Sequence, residues 1–253
     1  MKNERLVPRQ GLPRVVCGLQ PVREAIAAHG AAVRVLVEEK DDAPQLDAVA
    51  RFARDRGATV VRVRRAELDR SSLGVRHQGT IAYAPPLRVL PLAELALPAD
   101  ALVVILDSIE DPQNFGAIVR SAVALGAHAI VWPEHGAAPL TPATFRASAG
   151  AIEHAQLCSV PSLPAALVAL RERGLRVVGL DASAKTSIDA EDLASAVALV
   201  LGAEGAGLHK SVRKACDSLA RLPMSGPIAS LNVSAAAAIA LYEARRQRSK
   251  REI

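Results

Sequence analysis

Aromatic residues are nearly absent, at 2% of 253 residues. Any core must therefore be assembled from Ala, Val, Leu and Ile. Stacking of bases on aromatic platforms is a restricted, though not an excluded, way of holding nucleic acid. Cysteine is as sparse: Cys17, Cys158 and Cys216 are far apart and odd in number. That count argues against a disulfide framework and fits a reducing, cytoplasmic setting. No CxxC or HExxH spacing occurs and the six histidines are scattered, so no metal site is expected. The amino terminus has no apolar signal core. The longest apolar runs are too short or too interrupted to span a bilayer, so no membrane partner is expected.

What is present is enough hydrophobic residue, 50%, for a full core in two ordinary domains or one large one. The formal net charge is +5, and its distribution says more than the total. Residues 1–100 hold 16 Lys/Arg against 12 Asp/Glu, residues 101–243 hold 10 against 13, and residues 244–253 hold 5 against 1. Between Arg51 and Arg88 nine arginines face three acids. An arginine excess on one module favours a polyanionic partner held by phosphate contacts; a solvated face that keeps the chain soluble would look the same.

Along the chain, residues 1–14 read as a loose polar tail with two prolines. Strand and helix patterns follow in "RVVCGLQPVREAIAAHG", "AVRVLVEE", "APQLDAVARFARDRG", "ATVVRVRR" and "HQGTIAYA", a small α/β module over residues 15–84. Gly57 sits where a helix C-cap is expected. Residues 85–100, with Pro85, Pro86, Pro91 and Pro98, read as a linker with one helical turn near Leu92–Leu95. From Ala101 strands (101–106, 128–132, 175–180, 196–201, 218–222) alternate with helices (114–125, 141–149, 163–173, 208–215, 230–247). The alternation predicts an α/β fold with a mostly parallel sheet covered on both faces. Ligands in such sheets bind beyond the carboxyl ends of strands.

Three loops carry unusual residues. "DPQNFGAIVRSA" starts a helix with Asp111 and Pro112, yet places Asn114, Gly116 and Arg120 in it. Gly116 and Arg120 share a helix face. Asn114 is either a cap or a ligand-facing amide, and Arg120 either pairs with Asp107 or Glu110 or faces a substrate. "LVLGAEGAGLHKSV" runs from a strand into Gly202, Glu204, Gly205 and Gly207. Its spacing fails both the phosphate-loop and the dinucleotide patterns, and the carboxylate of Glu204 would repel phosphate. A tight turn is the bland alternative. "LPMSGPIASLNVSAAAAIALYEA" leads from a Pro/Gly turn through Ser230, Leu231, Asn232 and Ser234 into an Ala-rich helix. Ser230 is either its N-cap or, with Asn232, part of a polar mouth. The small residues suit a closely crossed or dimer-facing helix.

In this order and at these separations, the three segments resemble the three motifs of the SpoU (TrmH) family of RNA ribose 2′-O-methyltransferases. "FRASAGAIEHAQL" resembles the family's segment after its second strand. "VCGLQPVREAI" and "HQGTIAYA" resemble the substrate-binding module of its ribosomal-RNA members, a subgroup that includes the enzyme acting on a guanosine 2′-hydroxyl of 23S RNA. The resemblance covers residues 15–247; Phe115, where smaller residues are common, and the basic tail 248–253 depart from it. It implies a knotted (trefoil) methyltransferase domain over 101–247, a homodimer with the site at the interface, and S-adenosylmethionine as cofactor. By matching position it implies catalytic roles for Arg120, Asn114, Glu204, Ser230 and Asn232. It also implies cofactor contacts from Leu180, Gly202, Ala203, Glu204, Gly205, Leu222, Met224 and Leu231, largely through backbone atoms. Arg120 would stabilise a developing alkoxide and position phosphate, or accept its proton. Arg62, Arg64, Arg51 and Arg54 are the arginines expected to hold ribosomal RNA. Transfer RNA is the alternative substrate. A non-catalytic RNA-binding protein of the same fold is the other reading; loss of Arg120 or Asn232 would favour it, and both are present.

Overall fold

The computed structural model describes residues 13–227 and 230–250. They form two compact units: the chain through Leu87 together with Pro139–His154, and Arg88–Ala138 together with the chain from Ala155 onward.

The first unit contains β1 (Arg14–Cys17), α1 (Leu19–His29), β2 (Arg34–Glu38), α2 (Pro44–Asp55), β3 (Thr59–Val63), α3 (Arg65–Ser71) and β4 (Thr80–Ala84). Its sheet order is β1-β4-β2-β3; β2 and β3 run parallel and the other pairs antiparallel. One apolar stripe of α2, Leu46, Val49, Ala50 and Ala53, is buried, as its helical spacing requires. Gly57 takes φ +77° just beyond that helix, the left-handed ending expected of it.

The second unit is built from β5 (Leu102–Leu106), α4 (Pro112–Ala124), β6 (Ala129–Pro133), β7 (Gln156–Val160), α6 (Leu163–Glu172), β8 (Arg176–Leu180), β9 (Thr186–Ser187), β10 (Val197–Leu201), α7 (Lys210–Ala215), β11 (Ser218–Arg221) and α8 (Val233–Ser249), while α5 (Pro142–Ala147) lies in the inserted segment. Its strands form one seven-stranded sheet in the order β7-β6-β5-β10-β8-β11-β9, with every pair parallel. All residues of the central strands β5 and β10 are buried, which is why they read as unbroken apolar runs rather than alternating ones. Because the strands are parallel, the loops after β5, β10, β8 and β11 leave four adjacent strands at one edge. Those loops include all three motif segments.

Several expectations are corrected. The strand read through Arg65 stops at Val63; Arg64 caps α3, a helix the alternation hid. Arg62 and Arg64 therefore lie on different elements. β7, inside "EHAQLCSV", and the two-residue β9 were not expected. Residues 88–97 are not a free linker. Val89 bridges to Leu157, Leu90 N–H donates to the Leu157 carbonyl at 2.7 Å, and Leu95 is buried in the core beside β5. The one helical turn there, Leu92–Glu94, falls where it was read.

Residues 139–154, read as part of the second domain, pack with the first unit. Arg14 donates to both carboxylate oxygens of Glu153, at 2.6 and 2.5 Å, and its guanidinium lies 5.2 Å from the Phe145 ring centre. Residues 1–12 of the expected tail, and 251–253 of the basic tail, lie outside the described residues. Arg248 is not in a tail: it belongs to α8 and donates to the carbonyls of Leu193 (3.0 Å) and Ser195 (2.8 Å).

Candidate active site

The loop after β5 begins with Asp107, which is 3% exposed. Its Oδ2 accepts from the His209 N–H at 2.6 Å and its Oδ1 from Ser108 Oγ at 3.1 Å. A buried carboxylate needs such donors, and here they tie the end of β5 to the far end of the glycine loop. Asp107 is thus not a partner for Arg120. Four residues on, Asp111 caps α4, accepting from the Gln113 and Asn114 N–H groups at 3.2 and 3.1 Å. With the cap supplied by Asp111, the Asn114 side chain is released for other contacts. Arg120 is exposed, and among the described residues it makes no hydrogen bond or ion pair. An exposed arginine with no structural partner is available to an anionic ligand.

The glycine loop folds back on itself. Ala203 and Gly207 exchange two backbone hydrogen bonds, at 3.1 and 2.9 Å. A Cβ at Gly202 would overlap the backbone of Gly207, so this glycine is required by the turn itself. Gly205 and Gly207 take φ of +80° and +67°, a region open to glycine at no steric cost. The turn presents Glu204 at its tip, where Oε2 accepts from Asn114 Nδ2 at 3.4 Å and from Asn232 Nδ2 at 3.2 Å.

Asn232, not Ser230, caps α8: its Oδ1 accepts from Ser234 N at 2.9 Å and Ser234 Oγ at 2.6 Å. Its Nδ2 also donates to Asn114 Oδ1, at 3.0 Å. One residue from each motif, separated by 90 and 118 positions from Asn114, thus meets in a single network. Arg120 stands outside that network, six residues further along α4. Ser230 is exposed and belongs to the adjoining cavity.

That cavity, about 440 Å³, opens between the loops after β8, β10 and β11. Leu180, Gly202, Ala203, Glu204, Gly205, Leu222, Met224 and Leu231 all line it. So do Asp181 and Arg221, which sequence reasoning missed. The signal that would have found Asp181 is its position, the first residue after the carboxyl end of β8. Burial pushes the Asp181 carboxyl up, but hydrogen bonds from Ser183 and Arg213 outweigh it and hold the group below the ordinary carboxylate range. Arg221 donates to the carbonyls of Ala184 and Lys185, at 3.0 and 2.9 Å, pinning the same loop.

The thiols of Cys17, Cys158 and Cys216 are pushed up to about 11, mainly by burial. They are not thiolate nucleophiles at neutral pH. Among the described residues no group of three His, Cys, Asp or Glu side chains is placed to hold a metal ion, and no helix is long and apolar enough to cross a membrane.

In the first unit, Arg51 and Arg54 are exposed on α2, and Arg64 is exposed ahead of α3. Arg62 differs: it pairs with Asp47 and donates to the Glu38 carbonyl at 3.1 Å. Arg56 stacks over Phe52, 3.7 Å from the ring centre.

Residues 101–242 match the SpoU rRNA Methylase family, and residues 15–90 match the RNA 2′-O ribose methyltransferase substrate binding family. An uncharacterised tRNA/rRNA methyltransferase of Mycolicibacterium vanbaalenii is 38% identical over 240 residues, covering 92% of this chain and 76% of that protein. The SpoU methyltransferase AviRb from Streptomyces viridochromogenes, in complex with the cofactor AdoMet, superimposes with a TM-score of 0.78 at 26% identity, covering 93% of this chain and 90% of that one. The AdoMet-bound rRNA methyltransferase from Sinorhizobium meliloti gives a TM-score of 0.73 at 26% identity, over 92% and 87%. The matched boundaries, the parallel sheet and the convergence of three motif loops on one edge of it agree: this chain belongs to the SpoU family of RNA methyltransferases.

Proposed function

We propose that the protein transfers a methyl group from S-adenosylmethionine to a ribose 2′-hydroxyl of RNA, with a guanosine of 23S ribosomal RNA as the favoured target. The observation that carries this reading is the Asn114–Glu204–Asn232 network beside a cofactor-sized cavity, with Asn114 on the same helix as Arg120, which has no partner among the described residues. Ribosomal rather than transfer RNA rests on the substrate-binding module, residues 15–84, to which we assign substrate selection.

The cavity suits the cofactor. Its volume, about 440 Å³, is in the range of small-molecule sites. Leucine, methionine and glycine walls offer an apolar slot with reachable backbone groups. Glu204 and Asp181 offer negative charge to a cationic ligand, and Arg221 offers a positive group for its carboxylate. Bound there, S-adenosylmethionine supplies a methyl on a sulfonium whose leaving group is a neutral thioether, chemistry that needs no metal.

The remaining work falls to the chain. A ribose hydroxyl is a poor nucleophile until its proton leaves, here to solvent water. A guanidinium is a permanent cation and a poor base, so Arg120 acts by stabilising the developing alkoxide and positioning the adjoining phosphate. Asn114, Glu204 and Asn232 hold the three loops in register, so that the reacting groups align. Ser230 orients the ribose.

We further assign the chain a homodimer built on α8. Ala235, Ile239 and Tyr242 recur at helical spacing along α8 and are exposed, Tyr242 by 62%; a stripe of that kind suits a second copy. The family resemblance supports the trefoil knot within 101–247 and a cytoplasmic location. The test is to incubate the purified protein with S-adenosylmethionine and 23S RNA or transfer RNA, and to map 2′-O-methyl sites. Methylation at one ribose of 23S RNA is the expected result; methyl incorporation only at a base, or only in transfer RNA, would overturn the assignment.

A further inference from the structure

The first unit holds a second cavity, about 770 Å³, between the β2–α2 loop and the α3–β4 loop. Its floor carries Glu38, whose side chain is 12% exposed. Among the described residues its ion-pair partner is Arg65, with Nη1 3.7 Å from Oε1. That separation is an ion pair and too long for a hydrogen bond. Among the described residues no donor hydrogen-bonds the Glu38 carboxylate. A carboxylate this enclosed normally gathers donors.

His77 does not supply one. Its Nδ1 accepts from the Gly79 N–H at 3.0 Å, so the proton sits on Nε2, which donates to Asp69 Oδ1 at 2.9 Å. Gly79 leaves the carboxylate accessible: a Cβ there would stand 3.0 Å from Glu38 Oε2, in a backbone with φ +81°. Three basic residues, Lys40, Arg65 and Arg76, line the cavity together with Asp42 and with Asp69, which His77 engages. Asp42 in the β2–α2 loop and Gln78 in the α3–β4 loop hold left-handed backbone, φ +49° and +54°, a conformation that tends to gather at binding sites.

We propose that this cavity binds one unstacked nucleotide of the RNA substrate, with the Glu38 carboxylate reading the base and Lys40, Arg65 and Arg76 holding the flanking phosphates. The proposal rests on the RNA-methyltransferase reading above. Single-stranded bases are recognised on their exposed edges, and an ionised carboxylate accepts hydrogen bonds but cannot donate them, so it selects base edges that present N–H donors. Guanine offers two adjacent donors, N1–H and the 2-amino group, matching two carboxylate oxygens. Adenine and cytosine offer one amino group, and uracil a single imino N–H. Guanine is therefore the preferred occupant. The site lies in the substrate-binding module and does not use the methyl-transfer residues.

The test uses the full chain and short oligoribonucleotides in an anisotropy titration: oligo-U, and the same oligomer with one central guanosine or inosine, which lacks the 2-amino group. Wild type is expected to bind the guanosine oligomer about tenfold tighter than oligo-U, the value of one good bidentate pair, with inosine between them. Glu38→Gln should erase the preference while keeping the common, salt-dependent affinity. Arg76→Ala, at an exposed side chain that cannot unfold the module, should weaken all three oligomers alike and keep the preference. Equal binding of the three oligomers by wild type, or an undiminished preference in Glu38→Gln, would overturn the proposal. If wild type bound no RNA of any kind, ribosomal RNA included, the functional reading itself would fall with it.

Discussion

Asn232 does two jobs with one side chain, and two substitutions separate them. Its oxygen caps a 17-residue helix, and its nitrogen bridges Asn114 and Glu204 at 3.0 and 3.2 Å. Asn232→Ala removes both. Loss of an N-cap costs about 1 kcal/mol, and two partly solvated hydrogen bonds add roughly 0.5–1.5 kcal/mol each, about 2–4 kcal/mol in all. Asn232→Asp keeps the acceptor for Ser234 and adds charge at a helix N-terminus, worth roughly 0.3–1 kcal/mol. It also removes the donor and sets a second carboxylate against Glu204. At the 3.2 Å separation the repulsion is about 1 kcal/mol in a water-like dielectric and about 5 kcal/mol at an effective dielectric of 20. The cap is kept, but the lost donor bonds and the repulsion outweigh the gain at the helix terminus. Both variants should therefore melt below wild type, by roughly 2–4 °C for each kcal/mol lost. Both should lose about tenfold or more in S-adenosylmethionine affinity or methyl transfer, since about 1.4 kcal/mol is one decade. Calorimetric melts, cofactor titration and radiolabelled methyl transfer read the three quantities. An Asn232→Asp protein with wild-type affinity and turnover would refute the idea that the network orders the site.

Arg120→Ala should abolish methyl transfer to RNA while leaving S-adenosylmethionine affinity within about threefold and the melting point unmoved, because Arg120 has no partner among the described residues; near-normal turnover would remove it from the mechanism. Arg64→Ala and Arg54→Ala should each flatten the slope of log RNA affinity against log salt by roughly 0.7–0.9. Arg62→Ala should leave that slope alone and cost stability instead, since Asp47 and the Glu38 carbonyl already engage it; a slope change for Arg62 equal to that for Arg64 would contradict the pairing. Deleting residues 1–98 should leave a less stable protein, because Phe145, Ile152 and Glu153 lose the surface they pack on. Arg14→Ala in the full chain should reproduce part of that loss, roughly 1–3 kcal/mol, by leaving buried Glu153 with the His29 imidazole at 3.1 Å as its remaining partner among the described residues, and denaturant melts of the two variants would show it. Asp181 ties stability to pH: its folded value lies below its unfolded one, so its contribution is complete above the unfolded value near 4 and fades as pH falls through the lower, folded value. Asp181→Asn should show a shallower acid loss than wild type, and identical acid profiles would count against the tie.

The alternation of strands and helices after Ala101, and the apolar runs of β5 and β10, were legible because a strand buried on both faces can have no polar residue. The ends of α2 and α4 were legible because Gly57 and Asp111 act within a turn of themselves. The motif residues could be named from their order alone, but not what each one touches. Whether Asn114 caps a helix, whether Arg120 pairs with Asp107, and whether Ser230 or Asn232 starts α8 are contests between local and distant partners. Only the tertiary structure decided them, by bringing Asn114, Glu204 and Asn232 together across 90 and 118 positions. The same holds for the segment 139–154: its helical pattern says that one face is buried, but not against which unit. That was decided by Arg14 and Glu153, 139 residues apart, because two charges can be buried together only where the fold brings them into contact.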